Sequence, residues 1–247
     1  MPRNSGERGS QEERNKRQER AERILDAAAE LIQRWGYNKT TIDDIAKQAG
    51  VAKGTIYLHW KTREDLFYAL LIREDLKLAE DIRQRMANDP EGATLHGMLK
   101  HATLATMKNP LWKALLLRDT NMLGELARKE YGTPLAEERT AAFVGVLQFM
   151  REQGLIRTDQ SVKEQMHLFS AISMGFLLVE PFLPEELRLS DEEAVEVMAD
   201  SLKRSFEPRT PATSSEAELE NATQVVNRYM EQTLNTLKEQ EQKEIQS

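Results

Sequence analysis

Residues 41–60 read TIDDIAKQAGVAKGTIYLHW, and this stretch decides the fold. Thr41 offers an N-cap oxygen, and Asp43 and Asp44 follow in the first turn, where the helix dipole favours carboxylates. A short helix is expected from there to Gln48. Gly50 ends it, since a residue without Cβ tolerates the positive φ of a tight turn. A second short helix is expected from Ala52 to about Trp60. Helices this short are marginal alone, so the two must cross closely. Ala46 and Ala49 supply small residues at the crossing, and Ile45, Val51 and Ile56 form its apolar centre. This is the sequence form of a helix-turn-helix, whose second helix enters the DNA major groove.

The outer chemistry agrees with that reading. Lys53, Gly54, Thr55, Tyr57 and His59 are expected on or beside the face not needed for packing. No acidic residue occurs between Ile45 and Thr62, whereas Lys47, Lys53 and Lys61 do, and Arg63 follows. Lys61 and Arg63 fall where the next helix starts, and its unpaired backbone N–H groups also favour a phosphate. An ordinary helical hairpin shares the small residues but not the joint pattern of spacing, missing acids and basic flanks.

The run from Ile24 to Leu70 closely resembles the DNA-binding domain of the TetR family of transcriptional regulators. The resemblance rests on Thr40 to Ala46, Ala49 to Tyr57, His59-Trp60 and Arg63 to Leu66. It implies an all-α fold: a three-helix DNA-binding domain, a linking fourth helix, and a variable helical domain that binds a ligand and dimerises. By position, it implies that Thr41 caps the second helix near a phosphate. Lys53, Gly54, Thr55 and Tyr57 would lie against the major groove, with His59 near the DNA backbone. Arg63 replaces the family's phosphate-contacting Lys, and Trp60 replaces a usual Phe as packing.

Upstream, residues 1–12 are expected to be a disordered arm. A helix follows, with Ile24, Leu25, Ala28, Leu31, Ile32 and Trp35 at helical spacing and Gly36 as its stop. Arg14, Lys16, Arg17, Arg20 and Arg23 alternate with Glu12, Glu13, Glu19 and Glu22. That pattern is expected of a solvated helix face rather than of an arm in the minor groove. Residues 13–63 are thus read as the DNA-binding domain.

Downstream, a long helix is expected from Thr62 to about Met86, buried along Leu66, Leu70, Leu71, Leu76 and Ile82 and stopped at Asn88-Asp89-Pro90. Further helices are expected over 91–107, 110–128, 134–153, 161–180 and 190–206, giving a body over 64–206. Residues 207–214 have a linker composition. Ser215 and Glu218 form a possible capping box for a last amphipathic helix over 215–247. Its stripe of Leu219, Val226, Met230, Leu234 and Leu237 is too narrow to fold alone, so it must dock on the body, pair with a second subunit or remain partly disordered.

Composition narrows the class. Of 247 residues, 40% are hydrophobic and 6% aromatic, with 12 Gly and 8 Pro, which disfavours turn-rich β folds. The absence of cysteine excludes disulfides, zinc–thiolate and iron–sulfur sites, and thiol nucleophiles. The charged N-terminus lacks the apolar core of a signal peptide, and Ala171–Val179, broken by Ser173, is far short of a membrane span. A cytoplasmic protein is expected. Residues 1–63 hold 13 Lys and Arg against 9 Asp and Glu, while the remainder holds 21 against 32. A basic end on an acidic body points to one end meeting a polyanion.

In the body, residues 162–180 are apolar on almost every side, which calls for partners on both sides. Leu168, Ile172, Gly175 and Val179, with Met198 and Leu202 of the next helix, are the candidates for a homodimer interface. A palindromic operator requires two recognition helices about 34 Å apart. His101, Met107, Trp112, Met122, Phe143, Met150 and Phe169 are the candidates for a pocket taking a small apolar effector, although ordinary core packing accounts for each singly. The four histidines, at 59, 96, 101 and 167, show no metal spacing, and no Gly-rich phosphate loop or nucleophile elbow occurs. No enzyme, metal or cofactor is expected. The sequence thus points to a dimeric regulator, most simply a repressor released from DNA by its effector. The alternative is a helical interaction protein with only nonspecific DNA affinity.

Overall fold

The computed structural model describes residues 5–117, 119–123, 134–208 and 216–246. Among them all regular structure is helical. α1 spans Ser5–Trp35, α2 Ile42–Ala49, α3 Lys53–Tyr57 and α4 Arg63–Ala87. α5 (Leu95–Lys108), α6 (Pro110–Leu116), α7 (Thr120–Leu123), α8 (Pro134–Glu152), α9 (Val162–Leu178) and α10 (Asp191–Phe206) form the body. α11 (Glu216–Gln246) closes the chain's described part.

Local chemistry fixes most boundaries. Four helices open on reciprocal capping boxes: Thr41 with Asp44, Thr62 with Asp65, Ser161 with Glu164 and Ser190 with Glu193. In each, the hydroxyl accepts a backbone N–H and the carboxylate accepts the cap's own N–H, satisfying two otherwise orphaned donors. Gly50 closes α2 with φ 65°, the left-handed value at which a Cβ would be strained.

Several boundaries differ from expectation. α1 is already helical at Ser5, so the supposed arm over 1–12 is helix from that point on. Interleaved acids and bases at three- and four-residue spacing support a helix even without an apolar stripe. α3 is shorter than expected, because the chain turns at Leu58 and His59. α5 begins at Leu95 rather than 91, since Asp89 to Thr94 forms two turns, with Gly92 N–H on Asp89 O and Thr94 N–H on Glu91 O, both 2.9 Å. The expected helix 110–128 breaks after Leu116, and its part beyond Leu123 lies outside the described residues. Ser215 of the possible capping box also lies outside them, as does Leu219's side chain.

Three apolar clusters hold the molecule. The first joins α1, α2, α3 and the start of α4 around Ile24, Leu25, Ile45, Ile56, Trp60, Leu66 and Phe67. It also takes in Leu111, Leu115 and Leu123, so α6 and α7 from the body complete it and the DNA-binding core runs past Arg63 to Leu70. The second holds α5, α8 and α10, with Leu99, Leu147, Met150, Met198 and Leu202 buried. The third is narrower: Leu234 and Leu237 of α11 on Ile72 and Ala79 of α4. The last helix therefore docks on the body of its own chain, chiefly along α4 and also on α8.

A buried cation stitches these layers together. Arg73 is 2% exposed and donates to Asp26 (2.8 Å), to both the backbone oxygen and carboxylate of Glu22 (3.3 Å) and to Glu74 (3.1 Å). Glu74 in turn accepts from Asn109, the N-cap of α6, at 3.2 Å. One guanidinium thus links α1, α4 and, through Glu74, the α5–α6 corner.

Candidate nucleic-acid interface

The helix-turn-helix is built as its sequence dictates. Ile45 and Ile56 are fully buried, Val51 packs partly buried against them, and Ala46 fits beneath the crossing. With that side consumed, α3 presents the other. Lys53 and Gly54 are exposed, Thr55 is half-buried, and Tyr57 is 45% exposed. A Cβ at Gly54 would meet nothing within 4 Å, so the surface there is open to a close neighbour. Thr41 and Lys61 flank the face, both exposed. Lys53 Nζ lies 2.8 Å from Asp43, and this hydrogen bond holds the ammonium's pKa above its ordinary value.

Two expected members do not sit where the sequence placed them. His59 is only 3% exposed, because α3 ends at Tyr57 and the following turn folds the imidazole inward, 5.3 Å from the ring of Trp60. Burial, and after it the charges of Arg17 and Arg20, lowers its pKa, so the neutral ring is favoured. Arg63 is turned inward too. Its Nε donates to Thr40 O at 3.2 Å, its Nη2 donates to Tyr37 O, and the guanidinium stacks 3.9 Å from the Tyr37 ring centroid. It pins the start of α4 to the 37–40 turn and is not extended toward the outer face.

One residue escaped the sequence reading. Leu58 follows directly on α3 and is 72% exposed. The signal was present: Ile45, Val51 and Ile56 already fill the small core, leaving a further apolar side chain without a place in it.

The candidate pocket residues separate into two groups. Met107, Phe143, Met150 and Phe169 gather in the second cluster, with the Phe143 and Phe169 rings 4.8 Å apart. Trp112 and Met122 instead pack on the first cluster, because α6 and α7 fold back onto the DNA-binding core. His101 is buried at the α4–α5 corner, its Nε2 donating to Asp89 at 2.8 Å. A 290 Å³ cleft lined by Glu74, Lys77, Asp81, Lys108 and Asn109, and a 790 Å³ groove along Gln160 to Ala171, contain none of the seven. Among the described residues no three His, Asp or Glu are placed to share a metal ion.

The dimer candidates divide as well. Met198 and Leu202 are fully buried within the second cluster, since α10 packs that face on α5 and α9. They are core. Leu168 and Ile172 are half-buried, while Gly175 and Val179 are exposed. Leu178, Val179 and Val197 are exposed beside them, and Phe182 is 83% exposed. The apolar surface thus lies one helix face away from Met198 and Leu202. α9 is not buried all round, since only Gln165 and Ser173 along it are buried. No helix among the described residues is long and apolar enough to cross a membrane.

This geometry defines a class, an all-helical protein presenting a capped helix-turn-helix on a larger helical body. Residues 24–70 match the bacterial regulatory proteins of the tetR family. The chain is 43% identical over 67 residues to the fatty acid metabolism regulator protein of Bacillus subtilis, covering 25% of this chain and 34% of that one. It is 29% identical over 116 residues to the HTH-type transcriptional regulator AcrR of Shigella flexneri, covering 44% and 54%. These matches span about a third to a half of the relatives' length. A crystal structure of a TetR-family regulator from Mesorhizobium loti shares the fold, with a TM-score of 0.54 at 19% identity, over 78% of this chain and 98% of the other. Over residues 24–70 the chain is thus similar to the DNA-binding domain of the TetR family of transcriptional regulators.

Proposed function

We propose that the protein binds a palindromic operator as a homodimer and represses until a small apolar molecule enters its body. The observation that carries this reading is the outer face of α3, with Lys53, Gly54, Thr55 and Tyr57 set around open surface beside the exposed Leu58. Tyr57 and Thr55 can hydrogen-bond base edges or phosphates, Leu58 suits a thymine methyl, and Lys61 and Thr41 suit phosphates. His59 and Arg63 support the face from beneath. Among relatives, BepR of Brucella suis, 25% identical over 167 residues, is named a transcriptional repressor.

The second copy would dock on α9 and α10 through Gly175, Leu178, Val179 and Val197, which supply an exposed apolar face. The effector would lodge near Met107, Phe143, Met150 and Phe169, where soft and aromatic side chains gather. α4 joins that region to the helix-turn-helix, so a ligand favouring a different α4 position lowers operator affinity, and by linkage the operator lowers ligand affinity equally. Selection from random duplex DNA at fixed salt, read by sequencing, tests the reading. An enriched inverted repeat is the expected result. Binding without enrichment, fading smoothly with salt, would favour the interaction-protein alternative.

A further inference from the structure

The last helix rests on both ends of the molecule. Along one stripe α11 buries Val226, Met230, Leu234 and Leu237, and these divide between two cores. Val226 and Met230 sit in the second cluster, with Met86 of α4 and with Met198 and Leu202 of α10. Leu234 and Leu237 sit in the third, against Ile72 and Ala79 of α4, with Tyr68 and Leu76 packed beside them. Tyr68, Ile72, Leu76 and Ala79 recur at helical spacing and form one stripe of α4. The earlier part of α11 thus meets the later part of α4, so the two helices run antiparallel. Lys238 adds an ion pair to Glu80 of α4 at 3.2 Å.

The second observation concerns the other side of α4. Leu66, Phe67, Ala69 and Leu70 are buried in the first cluster, the core of the helix-turn-helix. Tyr68 stands among them in sequence, yet it packs with Leu234 and Leu237. The start of α4 is therefore held between the DNA-binding core and the last helix. Burial continues past Leu237 at the same spacing, with Gln240, Glu241 and Glu244 half-buried. The third observation is where the upper half of α11 is anchored. Leu168 and Ile172 of α9 and Met198 and Leu202 of α10 share its cluster, and these are the helices on which a second copy would dock.

We propose that α11 is a brace between the dimer-forming helices and the DNA-binding domain, and that it sets which half-site spacing the operator must have. The 25 residues of α4 extend about 37 Å at 1.5 Å per residue, and a helix of that length bends when unsupported. A second helix packed along it at interior density resists the bend. Each recognition helix is then held at a fixed place relative to the two-fold axis. A duplex whose half-sites lie at another separation is bound only by straining the brace. The inference rests on the operator-binding reading and adds to it the element that determines spacing specificity.

The test titrates the full chain by fluorescence anisotropy, at fixed salt, against the selected duplex and two altered ones. The altered duplexes carry one base pair more or one fewer between the half-sites, a shift of about 3.4 Å. The wild type is expected to lose about tenfold in affinity on either change. E231G/Q232G places a flexible joint between Met230 and Leu234 at two exposed positions, so no buried contact is removed. It should lose only about threefold on either change. E231A/Q232A removes the same side chains but keeps the helix, and it should retain the wild-type selectivity. A chain ended at Gln232 lacks the lower half of the brace and should behave as the glycine pair. Thermal melting by circular dichroism confirms that each variant folds. Wild-type selectivity in the glycine pair, or relaxed selectivity in the alanine pair, overturns the inference and leaves operator binding standing. So does an equal loss of affinity for all three duplexes in the glycine pair, which would make α11 a source of stability alone. A wild-type chain that enriches no duplex overturns operator binding and this inference together.

Discussion

At the scale of single residues, Arg63 and Tyr57 part company, although position alone would set both against DNA. Arg63 spends its donors on Tyr37 O and Thr40 O and lies over the Tyr37 ring. A charged donor to a carbonyl contributes about 1.5–3 kcal/mol. Arg63→Ala should therefore lower the free energy of unfolding by about 2 kcal/mol. Lysine should not restore it, because a single ammonium cannot span two carbonyls and stack. Tyr57, 45% exposed and with the core complete beneath it, is the opposite case. Tyr57→Ala should change stability by less than about 0.5 kcal/mol and weaken operator binding clearly. Urea unfolding at constant m, with operator titration, separates the two. A stable Arg63→Ala protein with lost DNA affinity would return Arg63 to the phosphate-contacting set.

At the scale of elements, boundaries follow caps and turns more closely than periodicity. α4 opens where Thr62 accepts the Asp65 N–H at 3.1 Å and Asp65 accepts the Thr62 N–H at 2.9 Å. Thr62→Ala removes one half of that exchange and should cost about 1 kcal/mol. Hydrogen exchange should quicken in the first turn of α4 before the rest of the helix; uniform exchange along α4 would contradict a local role for the cap. The same chemistry explains what was legible beforehand. Thr41, Gly50 and the apolar triad of Ile45, Val51 and Ile56 define α2, α3 and their crossing from local pattern alone. His59 could not be placed that way, because its direction depends on α3 ending two residues earlier. Met198 and Leu202 show the second limit: an apolar stripe says that a helix face is covered, not whether α5 or another subunit covers it. Trp112 and Met122 show the third, since only the fold-back of α6 and α7 assigns them to the DNA-binding core.

At the scale of the whole molecule, α4 belongs to all three apolar clusters, and α11 lies along it. Val226, Met230, Leu234 and Leu237 are buried in this docking, and each such side chain contributes about 1.5–3 kcal/mol before the entropy of ordering the helix is charged. Removing residues 207–247 should thus lower the melting temperature; an unchanged transition would mean that α11 adds nothing to the body. The end of α11 carries a finer test. Glu241 faces Glu22 of α1 and Arg73, Lys77 and Glu80 of α4. Burial first, then Glu22, raises its pKa against the pull of Arg73 and Lys77. Glu244, near Asp65, is raised by burial as well. A carboxyl with a folded pKa above its unfolded value binds more protons in the native state within that window, so its contribution to stability declines as pH rises through it. Asp89 and Glu91 act with the opposite sign, since backbone and Lys203 hydrogen bonds hold them low, but they are common to wild type and variant. Glu241→Gln should therefore be more stable than wild type near pH 7, and the gap should close as pH falls toward about 4.3, the ordinary glutamic value. Paired urea midpoints at the two pH values decide it: a gap independent of pH, or a variant weaker at neutrality, would show that Arg73 and Lys77 outweigh the burial of this carboxylate.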